Sequence, residues 1–353
     1  MNIAGFSHGG NIYNPAYRSK KRLIDFSASI NPLGLPEGTK KLLFENITVA
    51  EHYPDLRADD IITKIAGYWG VEKESVAVGN GSVELLYDLL RVFKPKTITI
   101  PEPSFNEYER AARLNECRID FVRLSKEKGF CFDPLKINPS DMLLLANPNS
   151  PTANLLIRTE VDIEKIPAKI IVIDEAFMDF IPEERSLSWI NKIVYDKRII
   201  VLRTFTKFFS IPGLRFGFMI ADKDIIGKVK NQQVPWNVNM PAQLAAADLI
   251  NQKDYRQETY SFIEKERAWL SLKLWEMKLF KIYPSCANFL FLKIIDSCFN
   301  GGFLEKKLIE KGILIRNCAD FRSLDNSFLR IAVRKRKENE ILIRALTEIL
   351  LET

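Results

Sequence analysis

Residues 199–218 read IIVLRTFTKFFSIPGLRFGF. The run Ile199-Ile200-Val201-Leu202 has the length and β-branching of a strand buried on both faces. It leads into Arg203-Thr-Phe-Thr-Lys207, which places one lysine among Phe205, Phe208 and Phe209. A lysine at a strand end is ordinarily a solvated charge, and Lys207 alone supports nothing more. Its neighbours give it a second meaning: hydroxyls at Thr204, Thr206 and Ser210, a further cation at Arg215, and a series of similar strands upstream.

Working back from this stretch, short apolar runs alternate with helical periodicity between about 57 and 222. The runs are Val76–Val78, Thr97–Ile100, Ile119–Leu124, Met142–Ala146 and Ile170–Ile173, and the amphipathic segments include 83–93 and one near 105–115. Parallel strands need a crossover, so this alternation predicts an α/β fold with a mainly parallel central sheet covered by helices. From 239 the pattern changes to helices at 239–250 and 254–276. Runs at 288–293, 313–316 and 328–333 follow, with helices near 301–311 and 337–352. The expected organisation is a large domain at 41–245 and a smaller α+β domain at 246–353. An N-terminal arm, 1–40, joins the small domain and covers the site.

Composition narrows the function classes. The 353 residues are 46% apolar and 27% charged, with a formal net charge of +6 from 51 Lys and Arg against 45 Asp and Glu. The dense basic run Arg334–Lys337 opens a helical pattern, so a solvated face is expected there rather than a nucleic-acid surface. Five scattered cysteines form no metal-binding spacing, and the two histidines, His8 and His52, leave no room for a histidine-rich metal site. No run approaches the roughly 18 apolar residues of a membrane span, and the N-terminus has no signal-peptide pattern. A cytoplasmic protein without metal, membrane or nucleic-acid partner is expected.

In an open parallel sheet, ligands bind beyond the carboxyl ends of the strands. Four such ends carry polar groups here. Gly79-Asn-Gly81-Ser82 precedes a helix and offers free backbone N–H groups to an anion. The loop Asn147-Pro-Asn149-Ser150-Pro-Thr-Ala153 offers amides and hydroxyls, Asp174 follows the fifth run, and Lys207 follows Ile199–Leu202. A lysine in an apolar, cation-flanked site loses preference for its charged form and becomes a nucleophile toward an aldehyde. Pyridoxal 5'-phosphate is such an aldehyde. Its phosphate suits Gly81, Ser82, Thr204, Thr206 and Arg215, its ring nitrogen suits the Asp174 carboxylate, and its ring suits stacking by Phe105.

Taken in order, Thr-x-Thr-Lys207 with Gly-Leu-Arg215, Asp174-Glu-Ala-Phe177, the Pro-Asn-Ser-Pro-Thr-Ala loop and Tyr53-Pro54 resemble a fold-type I pyridoxal-phosphate enzyme of the class I/II aminotransferase group. The likeness runs nearly end to end. Two families of that group are similar to this chain: histidinol-phosphate aminotransferase and the L-threonine-O-3-phosphate decarboxylase of cobalamin biosynthesis. Ser7-His-Gly-Gly-Asn11, Asp25–Gly34, Asp174–Pro182, Pro235–Asn239 and Ile315–Phe321 resemble the decarboxylase.

The resemblance implies that Lys207 carries the cofactor, Asp174 partners its ring nitrogen and Arg330 clamps the substrate carboxylate. It further implies that Tyr53 reaches the cofactor of a second subunit in a homodimer. His8, Asn31 and Arg316 become candidates for holding a small phosphorylated amino acid, although Arg316 and Arg330 also read as outward strand residues. Ser150 stands where the wider group has asparagine, so Asn149 or the Ser150 hydroxyl is expected to replace that donor. The implied reaction is decarboxylation of O-phospho-L-threonine or O-phospho-L-serine, and the alternative is histidinol-phosphate transamination.

Overall fold

The computed structural model describes residues 9–13 and 23–352. Among the described residues, thirteen strands form three sheets. In chain order they are β1 (Ile24–Asp25), β2 (Val76–Gly79), β3 (Thr97–Glu102), β4 (Arg118–Arg123), β5 (Ser140–Ala146), β6 (Ala168–Asp174), β7 (Ile199–Thr204), β8 (Gly217–Ile220), β9 (Phe280–Ile282), β10 (Phe289–Ile294), β11 (Ile313–Leu314), β12 (Arg316–Asn317) and β13 (Phe328–Ala332).

The central sheet has the order β2-β8-β7-β6-β5-β3-β4. All its pairings are parallel except those of β8, which runs against both β2 and β7. This is the α/β fold that the alternation predicts, with β8 as the strand the sequence reading missed. Phe216-Gly-Phe-Met-Ile-Ala221 sits only 12 residues after β7, too near for a helical crossover, so it returns antiparallel.

The apolar strands alternate between two cores. Leu143, Leu145, Ile171, Ile173, Ile199 and Val201 enter one. Met142, Leu144, Ala146, Val172, Ile200 and Leu202 enter the other, on the opposite face. Burial on both faces is why these strands read as unbroken apolar runs. The first four helices are α1 (Glu37–Glu45), α2 (Asp59–Trp69), α3 (Ser82–Phe93) and α4 (Asn106–Leu114), of which α3 and α4 contribute residues to the site. On α3, Leu85, Leu86, Leu89 and Leu90 recur at helical spacing and are buried.

The C-terminal part holds the antiparallel sheet β12-β13-β10-β9. Leu290, Leu292, Leu329 and Ile331 pack from it against Leu270 and Leu274 of the 24-residue helix Lys253–Glu276 and against Leu342 and Leu346 of the last helix. The expected strand at 313–316 is broken in two: β11 pairs parallel with β1, and β12 pairs with β13. The pairing of β1 ties residues 24–25 to this C-terminal part. Phe26 adds hydrogen bonds from its N–H to Leu314 O (2.8 Å) and from Ala332 N–H to its carbonyl (2.9 Å).

Candidate active site

The carboxyl ends of β2, β5, β6 and β7 open into a cavity of about 420 Å³, closed from the other side by β12, β13 and residues 28–29. That volume lies in the range of cofactor and small-substrate sites. Among the predicted residues, Ser82, Phe105, Ser150, Asp174, Thr204, Thr206, Lys207, Arg215, Arg316 and Arg330 line it.

The anion cradle lies at the start of α3. Gly81 is the N-cap of that helix with φ 77°, a left-handed conformation that favours glycine. A Cβ there would lie 2.4 Å from Arg215 Nη2, so glycine is also what lets the guanidinium lie over the loop. Gly217 does the same for the helix itself, since its Cβ would lie 2.3 Å from Ser82 N. Beside this cradle, the Thr204 hydroxyl donates to Phe216 O at 2.8 Å, and Thr206 Oγ1 lies 3.0 Å from Thr204 Oγ1. Helix N–H groups, a hydroxyl pair and Arg215 thus face one corner of the cavity.

Lys207 lines the cavity, and its Nζ makes no hydrogen bond among the described residues. Burial, reinforced by the cations Arg330 and Arg215 and opposed by Asp174, holds its amine down to about 8. Asp174 ends β6 and lies at the cavity wall, with Oδ1 accepting from the Ala176 N–H at 3.0 Å and Oδ2 from the Tyr108 hydroxyl at 2.8 Å. Burial pushes its carboxyl up, while the two hydrogen bonds and the nearby Lys207 oppose that shift.

Behind these two residues, Glu175 and Arg203 belong to a buried charge cluster. Arg203 pairs with Glu175 (2.9 Å), Asp179 (3.2 Å) and Glu184, and Arg256 pairs with Asp179 (2.9 Å) and Glu184 (2.8 Å). The cluster pins the residue after Asp174 to the residue before Thr204, so the strand ends carrying the site are fixed to each other.

The opposite wall carries two arginines. Arg316 of β12 and Arg330 of β13 are Cα partners in the antiparallel pair. Arg330 is inward, not solvated: Nη1 donates to Ser150 Oγ (2.9 Å) and Nη2 to Ser27 O (2.8 Å), while its buried Nε has no partner among the described residues. Burial lowers its guanidinium to about 10, which still leaves it cationic at neutral pH. Arg316 is also buried, paired with Asp320 at 2.8 Å and lying over the Phe321 ring.

Other predicted residues lie elsewhere. Asn149 does not line the cavity, because both its amide protons go to Pro103 O (2.9 Å) and Thr152 Oγ1 (2.7 Å). Of the two alternatives for the missing donor, only Ser150 faces the cavity. Asn31 is a brace rather than a lining residue: Nδ2 donates to Phe208 O and Thr259 Oγ1, its N–H to Lys207 O, and its carbonyl accepts from Ser210 Oγ. Its side chain is consumed in holding the Lys207 segment. Gly81 shapes the cradle without lining the cavity. Tyr53 is 80% exposed, its ring tilted at 30° to that of Trp236 with centroids 4.8 Å apart, and outside the cavity of its own chain. His8 lies outside the described residues.

Of the cavity residues that escaped the sequence reading, three bear on its chemistry. Tyr108 sits three residues after Phe105, hence on the same face of α4, and that spacing was the available signal. Ser29 is 2% exposed and its hydroxyl has no partner among the described residues, although it lines the cavity. Arg110 adds a cation at the rim, bonded to Glu107. Neither Ser29 nor Arg110 carries a pattern that distinguishes it in sequence.

These donors fit pyridoxal phosphate. A depressed lysine for an aldehyde, a buried carboxylate for a ring nitrogen, an aromatic wall and an N–H-rich corner for a phosphate stand in one cavity. Among the described residues no cluster of acidic, histidine or cysteine side chains is arranged to hold a metal, and no helix is long and apolar enough to cross a membrane.

Comparison with known proteins agrees with this geometry. The family model for aminotransferase class I and II matches residues 21–346. A Caldanaerobacter subterraneus protein provisionally named threonine-phosphate decarboxylase is 36% identical, over 97% of this chain and 93% of its own. The threonine-phosphate decarboxylase of Salmonella typhimurium is 33% identical, over 99% and 98% respectively. The crystal structure of the histidinol-phosphate aminotransferase from Clostridium acetobutylicum superimposes with a TM-score of 0.85 at 30% identity, covering 94% of this chain and all of that one.

Proposed function

We propose that the chain, which belongs to the aminotransferase class I and II family, decarboxylates O-phospho-L-threonine, or O-phospho-L-serine, to the amino-alcohol phosphate used for the nucleotide-loop linker of cobamides. The observation that carries this reading is the register pair Arg316 and Arg330, two buried guanidiniums facing one cavity opposite Lys207. Like charges directly opposite on antiparallel strands repel. Arg316 has Asp320 as a counter-ion, whereas Arg330 is hydrogen-bonded, among the described residues, only to the neutral Ser150 and Ser27. A phospho-amino acid supplies a carboxylate for Arg330 and a phosphate for the cationic wall beside it.

Bound in the cavity, pyridoxal phosphate supplies the electron sink for the bond broken at the substrate's Cα. The protein's own groups do the rest. Lys207 Nζ, without a hydrogen bond among the described residues and half unprotonated near pH 8, is the nucleophile that would hold the aldehyde and the group placed to return a proton to Cα. Asp174, Ser82, Thr206 and Arg215 hold the cofactor's two ends, and Phe105 covers its ring. Arg330, fixed by Ser150 and Ser27, takes the carboxylate; Arg316 takes the phosphate, with Ser29 as a further donor and His8 as a candidate from the arm.

Holding the substrate at two ends fixes which bond stands perpendicular to the ring, and that choice selects loss of carbon dioxide over removal of the Cα hydrogen. Tyr53, exposed on its own subunit and outside its own cavity, serves the partner's site in a homodimer. The enzyme works in the cytoplasm as an arm of 1–40, a cofactor domain of 41–245 and a small domain of 246–353.

Transamination of histidinol phosphate is the second reading, favoured by the structural likeness to such an enzyme. Histidinol phosphate has no carboxylate, so it brings no anion to the buried Arg330, a loss of about 1–3 kcal/mol or more. The deciding experiment offers holoenzyme each substrate in turn. Carbon dioxide from O-phosphothreonine or O-phosphoserine without 2-oxoglutarate is the expected result. Robust glutamate formation from histidinol phosphate, with no carbon dioxide from either phospho-amino acid, overturns the proposal.

A further inference from the structure

We propose that Tyr108 is a positioning residue of the cofactor site, whose phenol donates to Asp174 and so holds that carboxylate ionised and in one orientation. The inference rests on the cofactor assignment above and extends it to a residue that need not touch the reacting atoms.

Tyr108 lies in the first turn of α4 and is 1% exposed. Its hydroxyl has a single partner, Asp174 Oδ2 at 2.8 Å. Phe105, one turn earlier, meets its ring edge-on at 5.6 Å and 88°, which fixes the phenol's direction. One end of α4 therefore presents both an aromatic wall and the hydroxyl that orients the carboxylate.

The groups facing Asp174 can be counted element by element: Tyr108 from α4, the Ala176 N–H from the loop after β6, and Lys207 from the loop after β7. Burial disfavours the anion, and Tyr108 is the only side-chain hydrogen-bond donor among the described residues that opposes it. The phenol does not compete for the charge. Burial, then the negative Asp174, push Tyr108 well above the ordinary tyrosine value, so it remains a neutral donor at every working pH. A structural tyrosine buried for its ring alone would not need its hydroxyl aimed at the one carboxylate of the cavity that lacks a cationic hydrogen-bond partner.

The test compares Tyr108→Phe, Asp174→Asn and the double variant with the unaltered protein. Apoprotein is titrated with pyridoxal phosphate across pH, and kcat and KM are measured on the holoenzyme. Tyr108→Phe is expected to weaken pyridoxal phosphate binding roughly tenfold at neutral pH, the size of one hydrogen bond to a charged group. It should also move the acid limb of binding to higher pH, because a carboxylate with one donor fewer takes up its proton sooner. In the Asp174→Asn background the same change should do little.

Tyr108→3-fluorotyrosine keeps the shape and strengthens the donor, so the acid limb should move the other way even if the phenylalanine variant folds poorly. Equal losses in both backgrounds, or an acid limb that neither replacement moves, would show that Tyr108 serves packing alone. Unaltered protein that fails to bind pyridoxal phosphate sinks the cofactor assignment itself, whereas unaltered protein that binds it no better than Tyr108→Phe sinks only the role of Tyr108.

Discussion

The depressed amine of Lys207 can be tested directly by how it captures pyridoxal phosphate. An ordinary lysine at 10.5 and Lys207 at about 8 differ by about 2.5 pH units, or about 3.4 kcal/mol of preference for the neutral form. At pH 7 that leaves about one amine in ten unprotonated at Lys207, against about three in ten thousand for a solvated lysine, a ratio of about 300. The sign follows from burial: the cavity penalises the ammonium form, so the reactive amine appears at lower pH. Apoprotein mixed briefly with pyridoxal phosphate, reduced with borohydride and mapped by mass should carry the label on Lys207. The labelling rate should climb from pH 6 to about 8 and then level.

Arg330→Met removes a cation that adds to the depression, so the break should move to higher pH. Because burial is the larger cause, it should stay below the ordinary lysine value. A rate that keeps climbing toward pH 10, or a label on another lysine, refutes the assignment and the electrostatic argument behind it.

Three further outcomes are expected. Gly81→Ala places a methyl against Arg215 and strains a left-handed backbone by about 1–3 kcal/mol, so pyridoxal phosphate affinity measured by titration should fall about tenfold or more. Arg203→Met strips the shared cation from Glu175, Asp179 and Glu184 and should lower unfolding free energy in a urea titration by about 3–5 kcal/mol; an unchanged midpoint would mean those carboxylates are neutral when buried. Mixing Lys207→Ala with Tyr53→Phe protein should form some hybrid dimers with one site free of both changes, so activity should exceed that of either parent. Complete exchange without any recovery would remove Tyr53 from the partner's site.

The sequence by itself determined the parts that depend on local periodicity and on residue chemistry. Unbroken β-branched runs alternating with helical segments implied a sheet buried on both faces, and strand-end residues therefore marked the cavity before any coordinate was known. Lys207, Asp174 and Ser82 were legible because each ends or follows a strand or opens a helix, where the topology leaves little choice of direction, and Arg215 was legible as a second cation in the Lys207 stretch. Tertiary packing alone decided the rest.

The inward direction of Arg330 was open in sequence and closed by its contacts to Ser150 and Ser27, which are 180 and 303 residues away. Asn31 and Asn149 were plausible donors by type, and only the folded chain showed their amide protons committed to Phe208, Thr259, Pro103 and Thr152. The antiparallel return of β8, the split of 313–317 between two sheets and the bond from Tyr108 to Asp174 share that cause. Periodicity reports which face of an element is apolar, whereas a hydrogen-bond partner far along the chain is chosen by packing and leaves no local trace.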